Sequence, residues 1–325
     1  MFISIFGAVE SGVIYAIMAL GVYLSFRVLD FPDLTVDGSF VTGSSVAAIS
    51  IVSGVPPVLA TLFALLAGFL AGCITGVLHT KGKINPLLAG ILMMIALYSI
   101  NLRIMGRPTL PMLNEPTIFK QIGDWWASLG IDQAITSWLT NMGLQQTPST
   151  WSVLFFMIVL LALIKLCIDF FLKTEVGLAL RATGDNQKMI RSFSANTDFL
   201  IIIGLGLSNG LVAMSGGLIA QYGGFSDVNM GTGMIIIGLA SVIIGEASFG
   251  TKTIVRTTLA VLLGAVVYRI VVTIALQVGF LETGDMKLIT ALLVIAALVV
   301  PKIIKGRKEK LRRQRKRAAL SVKEG

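Results

Sequence analysis

The chain has 325 residues, of which 55% are hydrophobic and 13% charged, with a mean hydropathy of +0.87. That is too apolar for a soluble domain, and several stretches reach the ~20 apolar residues a bilayer span needs, so an all-α polytopic membrane protein is expected. The formal charge of +9 is local: residues 302–317 carry ten Lys or Arg against one Glu. Such a cluster after a span reads as a cytoplasmic anchor meeting anionic lipid, and it excludes nucleic acid as a partner.

In chain order, residues 1–10 lack the basic n-region and cleavage site of a signal peptide, so the first hydrophobic stretch, 5–26, is expected to be retained. It stops at Arg27, and residues 30–40 (DFPDLTVDGSF) then bring Asp30, Asp33 and Asp37 with Pro32 and Gly38 before hydrophobicity resumes at Val41. Carboxylates so closely spaced cannot face lipid, so a discontinuous helix is expected here, with the acids capping it in preference to binding substrate or metal. In the span over 55–78, Gly68, Gly72 and Gly76 form a small-residue stripe that admits a second helix at close range. His79 marks a short basic loop that ends at Lys83, and the next span, 84–105, opens with Asn85 and Pro86.

Residues 106–150 are polar, and all four tryptophans, Trp125, Trp126, Trp138 and Trp151, lie in or beside them. Tryptophan gathers at membrane interfaces, and the loop has no basic excess, so it is placed outside. Further spans are expected over 151–172, 199–222, 228–244, 254–278 and 286–304. Counting back from a cytoplasmic tail gives about nine spans with an external N-terminus. The layout is a transmembrane domain over 1–304, with an external loop at 106–150 and a cytoplasmic loop at 173–198, followed by a basic tail at 305–325.

The loop over 173–198 (KTEVGLALRATGDNQKMIRSFSANTD) is amphipathic and ordered in character. Val176, Leu178, Leu180, Met189, Ile190 and Phe193 could pack or dock, and they are interspersed with Arg181, Lys188 and Arg191. Two short helices are expected, with a turn at Gly184 in a positive-φ conformation and Asp185 or Asn186 capping the second. Such a loop between spans suits a binding partner, against the plainer reading of a solvated connector.

Phe31-Pro-Asp33 followed by Gly38 is echoed by Phe225-Ser-Asp227 followed by Gly231, and the assigned parity puts the two at opposite sides. This is the arrangement of an inverted repeat in which discontinuous helices meet around a pathway. The candidate pathway residues are Asp33, Asp37, Asn85, Gln221, Asp227, Asn229 and Arg269. Arg269 lies deep in the span over 254–278, where an isolated charge is costly, so it should face the bundle interior and find a carbonyl or an acid, the candidate acids being Asp33, Asp37 or Asp227, or Glu282 or Asp285 if the helix sits higher. It could serve as a packing salt bridge or meet the carboxylate of a substrate.

No catalytic constellation or cofactor site is visible. The single histidine has no partner, Cys73 and Cys167 have no metal spacing, and Gly245–Lys252 puts threonine where a phosphate-binding lysine would stand. No cofactor is expected, and the chain itself is not expected to be an enzyme.

Four stretches carry a resemblance: GVIYAIMALGVYLSFRVLDFPDLTVDGSF near the N-terminus, GLALRATGDNQKMIRSFSAN in the middle, residues 206–246, and GDMKLITALLVIAALVVPK at 284–302. Together the chain resembles the permease subunits of bacterial ABC importers of the branched-chain amino acid and ribose type, nearest to the branch labelled tryptophan/tyrosine transport permeases. The resemblance implies a location in the bacterial cytoplasmic membrane and a homodimer. It also implies two ATP-binding cassette ATPase subunits on the cytoplasmic face and an extracytoplasmic solute-binding protein. The ATPase-coupling element would comprise Val176, Leu178, Leu180, Arg181, Gly184, Asp185, Asn186, Lys188, Met189 and Arg191. The external loop at 106–150 is long for that family's simpler members. The solute implied is an amino acid, with a nucleoside, sugar or vitamin-like compound as alternatives for the same architecture. Two other readings stand beside it: an ion-coupled secondary transporter using Asp30, Asp33, Asp37 and Arg269, and a scaffold whose loop recruits a soluble protein.

Overall fold

The computed structural model describes residues 1–276 except 131, 134, 138–147, 149 and 194, together with 288, 291, 292 and 295. The expected span at 286–304 falls almost wholly outside the described residues, and the basic tail, Trp138, Glu282 and Asp285 fall outside them altogether.

The first helix, α1 (Phe2–Tyr23), runs on through a π-helical turn, Leu24–Val28, and is followed by α2 (Thr35–Val52), α3 (Pro57–Thr80) and α4 (Pro86–Met105). A short strand β1 (Thr109–Pro111) and helix α5 (Ile118–Ser128) precede α6 (Ser152–Lys173), α7 (Glu175–Ser192) and α8 (Thr197–Gly223). Strand β2 (Phe225–Asp227), α9 (Met234–Phe249) and α10 (Ile254–Leu276) complete the described elements. Local sequence explains the boundaries. Pro57 and Pro86 open their helices where a missing N–H costs nothing, Asn85 and Asn196 cap α4 and α8 through their side chains, and left-handed Gly106 and Gly224 close the same two helices.

The protein is an all-α polytopic membrane protein. Seven of the described helices are long and apolar enough to cross a bilayer: α1 with its π turn, α2, α3, α4, α6, α8 and α10. The stretch expected as a span over 228–244 is instead α9, whose 16 residues reach about 24 Å and fall short of the ~30 Å hydrocarbon core. It begins inside the bundle, against α2.

Helices α1 and α8 form the centre, each 78% buried across its apolar window, whereas α6 is 22% buried and lies on the rim. The expected glycine stripe does what its spacing suggests. A Cβ at Gly68, Gly72 or Gly76 on α3 would overlap Ala213 and Asn209, Leu205, or Ile202 of α8, respectively. Likewise, a Cβ at Gly43 on α2 would overlap the Ala213 backbone of α8, and one at Gly216 would overlap the Phe40 backbone. Between hydrocarbon-solvated helices, close backbone approach and dispersion replace the hydrophobic driving force, and glycine is what permits that approach.

At one end of the bundle lie Arg27, Lys81, Lys83, Lys173 and α7; this is the basic end. At the other lie Trp125, Trp126 and Trp151, with Phe6 of α1 edge-on to Trp151 at 4.7 Å. The segment after α4 is tied down at this second end. Strand β1 pairs antiparallel with β2, Thr109 opposite Asp227, and α5 buries Ile118, Phe119 and Trp126.

Gly72→Ala and Gly43→Ala are each expected to destabilise the purified protein by about 1–3 kcal/mol, the usual cost of overpacking, whereas Gly123→Ala, with nothing within 4 Å of its new methyl, is not. Thermal unfolding in detergent measures the difference.

Candidate functional site

The polar interruption at 29–34 lies between the π turn and α2. Asp33 is fully buried. Its Oδ1 accepts from Thr35 N (2.9 Å) at the first turn of α2, and its Oδ2 accepts from Asn209 Nδ2 of α8 (2.6 Å). Thr35 in turn meets Thr75 of α3, hydroxyl to hydroxyl, at 2.8 Å. A carboxylate in this position turns the chain into α2 and fastens that turn to two neighbouring helices.

One turn further on, Asp37 caps a different helix. Its Oδ2 accepts from Gly233 N (3.0 Å) and its Oδ1 from Ile235 N (2.8 Å), the first donors of α9. Gly231 packs so closely against the Asp37 backbone that a side chain there would overlap it, and Gly233 holds φ +87 just before the helix begins. The two polar interruptions of the chain therefore meet: the entry to α9 is seated on the first turn of α2.

At the basic end, α7 is two helices that run together. The break is at Asn186 (φ −157, ψ 88), whose side chain accepts from Met189 N (3.1 Å) and so caps the second part. The turn expected at Gly184 is not there. Gly184 keeps a helical conformation, and its missing side chain lets α7 press onto the Val28 and Leu29 backbone after the π turn. Leu180 and Ile190 are buried anchors, whereas Val176, Leu178, Met189 and Phe193 are exposed together with Asp185, Lys188 and Arg191. Arg191 donates to Thr197 Oγ1 and Asp198 Oδ1, both at 2.8 Å. Arg181 lines a polar cavity with Tyr23, Lys252 and the ion pair that joins Arg27 of the π turn to Glu246 of α9.

Residues 4–299 match the family described as the permease component of branched-chain amino acid transport systems. The chain belongs to this family. It is 41% identical over 294 residues, 90% of each chain, to the tyrosine transport system permease protein of Clostridioides difficile (strain R20291). It is 34% identical over 207 residues, 64% of each chain, to Uncharacterized protein RP368 of Rickettsia prowazekii (strain Madrid E). No solved structure matches.

In this permease, Arg269 does not meet Asp33, Asp37 or Asp227, while Glu282 and Asp285 lie outside the described residues. Asp33 and Asp37 are engaged as described, and Asp227 accepts from Thr109 Oγ1 and Asn229 N. Arg269 instead donates from Nε to Ser11 Oγ of α1 (3.0 Å) and lies 5.1 Å from the Tyr15 ring centroid, so a hydroxyl and an aromatic face receive the cation. The other candidates are dispersed. Asn85 caps α4 at the basic end through Leu87 N, and Gln221 at the tryptophan end joins Ile118 N (3.1 Å) to Thr61 Oγ1 (2.8 Å). Asn229 is exposed beside β2, and Asp30 is exposed at φ +51.

Several buried polar residues escaped the sequence reading: Asn101 and Asn209, both fully buried, Glu10, bonded to the Tyr222 hydroxyl at 2.9 Å, and Asp169, bonded to Thr258 Oγ1 at 2.6 Å and paired with Lys165. Each is a polar or charged residue inside an apolar span, and that is the signal by which they could have been found.

Asp37→Ala removes two charge-assisted hydrogen bonds from a buried helix start and is expected to cost about 2–3 kcal/mol or more. Asp30→Asn, at an exposed position, should leave stability unchanged. Comparing the unfolding temperatures of the two variants in detergent tests whether the cap matters.

Proposed function

We propose that this chain is the membrane-spanning subunit of an ABC importer of the bacterial cytoplasmic membrane. It translocates an amino acid, and the relative named for tyrosine transport favours an aromatic one. Two copies form the pathway, each with a cytoplasmic ATPase subunit docked on its α7, and an extracytoplasmic solute-binding protein delivers the substrate. The basic end with its C-terminal tail is cytoplasmic, and the end bearing β1, β2 and α5 faces outward.

The observation that carries this reading is the surface of α7. A helix that belonged only to the fold would bury its apolar residues, yet α7 uses Leu180 and Ile190 to grip the bundle and leaves Leu178 52%, Met189 49% and Phe193 72% exposed among charges. An exposed apolar set on an amphipathic helix outside the membrane suits a groove on a soluble partner. Chemical work on ATP belongs to that partner, and this chain supplies the switch between outward and inward access.

Leu178→Glu with Met189→Glu puts two charges on the exposed face without touching a buried contact. The pair is expected to remove about 2 kcal/mol or more of docking energy, roughly 30-fold in affinity for the ATPase, and to abolish uptake in proteoliposomes. A double variant that still co-purifies with its ATPase and transports normally would make α7 a solvated connector and would place the docking surface elsewhere on the cytoplasmic face.

A further inference from the structure

The polar cavity at the basic end measures about 660 Å³, within the roughly 300–1,000 Å³ of ligand pockets. Its charged lining is Arg27 of the π turn, Arg181 of α7, Glu246 in the last turn of α9 and Lys252 just before α10, three cations against one carboxylate. That carboxylate is already taken by Arg27. The remaining charge in the cavity is positive and unopposed.

Arg181 supplies the sharper observation. Among the described residues Arg27, Arg191 and Lys165 each pair with an acid, whereas Arg181, half-buried in the cavity wall, makes neither an ion pair nor a hydrogen bond. A guanidinium keeps its charge and carries five donors, so one facing a cavity calls for an anion. Lys252 is exposed to the same space and likewise has no carboxylate partner among the described residues. Thr253 Oγ1 accepts from Arg256 N (3.3 Å), which leaves its O–H free to donate, and the cavity reaches Ile254, where α10 presents the positive end of its dipole.

Depth in the bilayer narrows the choice of anion. Arg27 stands at the end of the span Phe2–Val28 and Lys252 just ahead of the span Ile254–Leu276, so the cavity lies at the level of lipid head groups. From its rim Val255, Leu259 and Leu263, all exposed and four residues apart, run along one face of α10 toward the bilayer centre. Basic cavities between spans on the cytoplasmic side suit phospholipid head groups.

We propose that this cavity binds a phosphate group, supplied by an anionic phospholipid whose acyl chain lies along Val255, Leu259 and Leu263. Arg181 and Lys252 meet the phosphate oxygens, and the Thr253 hydroxyl donates to a third. A free phosphate ion shares that chemistry but makes no use of the apolar face. An occupant bridges α7 to the start of α10, so anionic lipid would bear on the helix read above as the seat of the ATPase.

The test uses the full-length permease purified in neutral detergent, without ATPase or solute, so its outcome is independent of the importer reading. Phosphatidylglycerol in mixed micelles is expected to raise the unfolding temperature, and phosphatidylcholine is not. Arg181→Gln and Lys252→Gln should each raise the half-saturating concentration of phosphatidylglycerol about tenfold. Lys81→Gln, which removes an exposed cation at the same end but outside the cavity, should leave it unchanged. Sodium phosphate separates the sources: protection by phosphatidylglycerol alone identifies the lipid, whereas equal protection by the free ion, weakened in the same variants, overturns the lipid assignment. Protection that persists undiminished in both cavity variants belongs to the basic tail and overturns the site, as does an equal weakening in Lys81→Gln. If Arg181→Gln fails to fold, Lys252→Gln decides. Variants that bind lipid like the wild type but no longer co-purify with the ATPase would make the cavity a seat for an acidic side chain of that partner, and the lipid site would fall.

Discussion

A helix that begins inside a membrane exposes N–H groups to a medium that offers no acceptors, and the structure depends on how α9 meets that constraint. Its first donors, Gly233 N and Ile235 N, are taken by the carboxylate of Asp37. Asp37 can serve because it stands in the first turn of α2, where its charge also complements that helix's own dipole. The start of α2 is held in turn by Asp33, which reaches Thr35 of its own helix and Asn209 of α8. Two carboxylates therefore set the starts of two helices, and each does so by leaning on a neighbour.

That arrangement needs helices much closer together than bulky side chains allow. Asp33 reaches Asn209 because α8 is pressed against both α2 and α3 through Gly43, Gly68, Gly72 and Gly216, and Asp37 reaches α9 because Gly231 sits on its backbone. Small residues and buried polar bonds are thus parts of one solution. The glycines bring the backbones within range, and the carboxylates and amides then find partners without water. Arg269 shows the same economy: Ser11 and Tyr15 of the neighbouring α1 receive it, with no acid in direct contact among the described residues.

The features legible in the sequence were those set by short-range physics. Apolar length gave seven of the spans, the glycine stripe gave a close helix contact on α3, and the carboxylates after Arg27 marked a discontinuous helix whose acids act as caps. The start of α9 was not legible, because residues 228–244 read as one apolar stretch and the acceptor that fixes the helix start lies almost two hundred positions earlier. Gly184 was misread for a related reason. Beside Asp185 and Asn186 it looks like a turn, but its purpose is steric, set by the distant backbone of Val28, and the break falls at Asn186. The partners of Arg269 were missed because an acid or a carbonyl was expected for it, whereas a buried guanidinium can also be satisfied by hydroxyls and ring faces.

These contacts also give mechanical content to the importer reading. Helix α7 presses Gly184 onto the backbone just after Arg27, and Arg27 is paired with Glu246 near the far end of α9. Both contacts fall at the end of the π turn, a stretch in which one extra residue per turn loosens the hydrogen-bond register and lets a helix change direction locally. Helix α9 is thus gripped at both ends: by Arg27 beside α7, and by Asp37 of α2. A docked ATPase that displaced α7 would load the π turn first and the Arg27–Glu246 pair second, and the short α9 would answer by tilting about its Asp37 cap. A full-length span could not tilt that way without dragging both membrane faces. A helix that stops short of one face can, and that offsets the cost of starting a helix inside the bilayer.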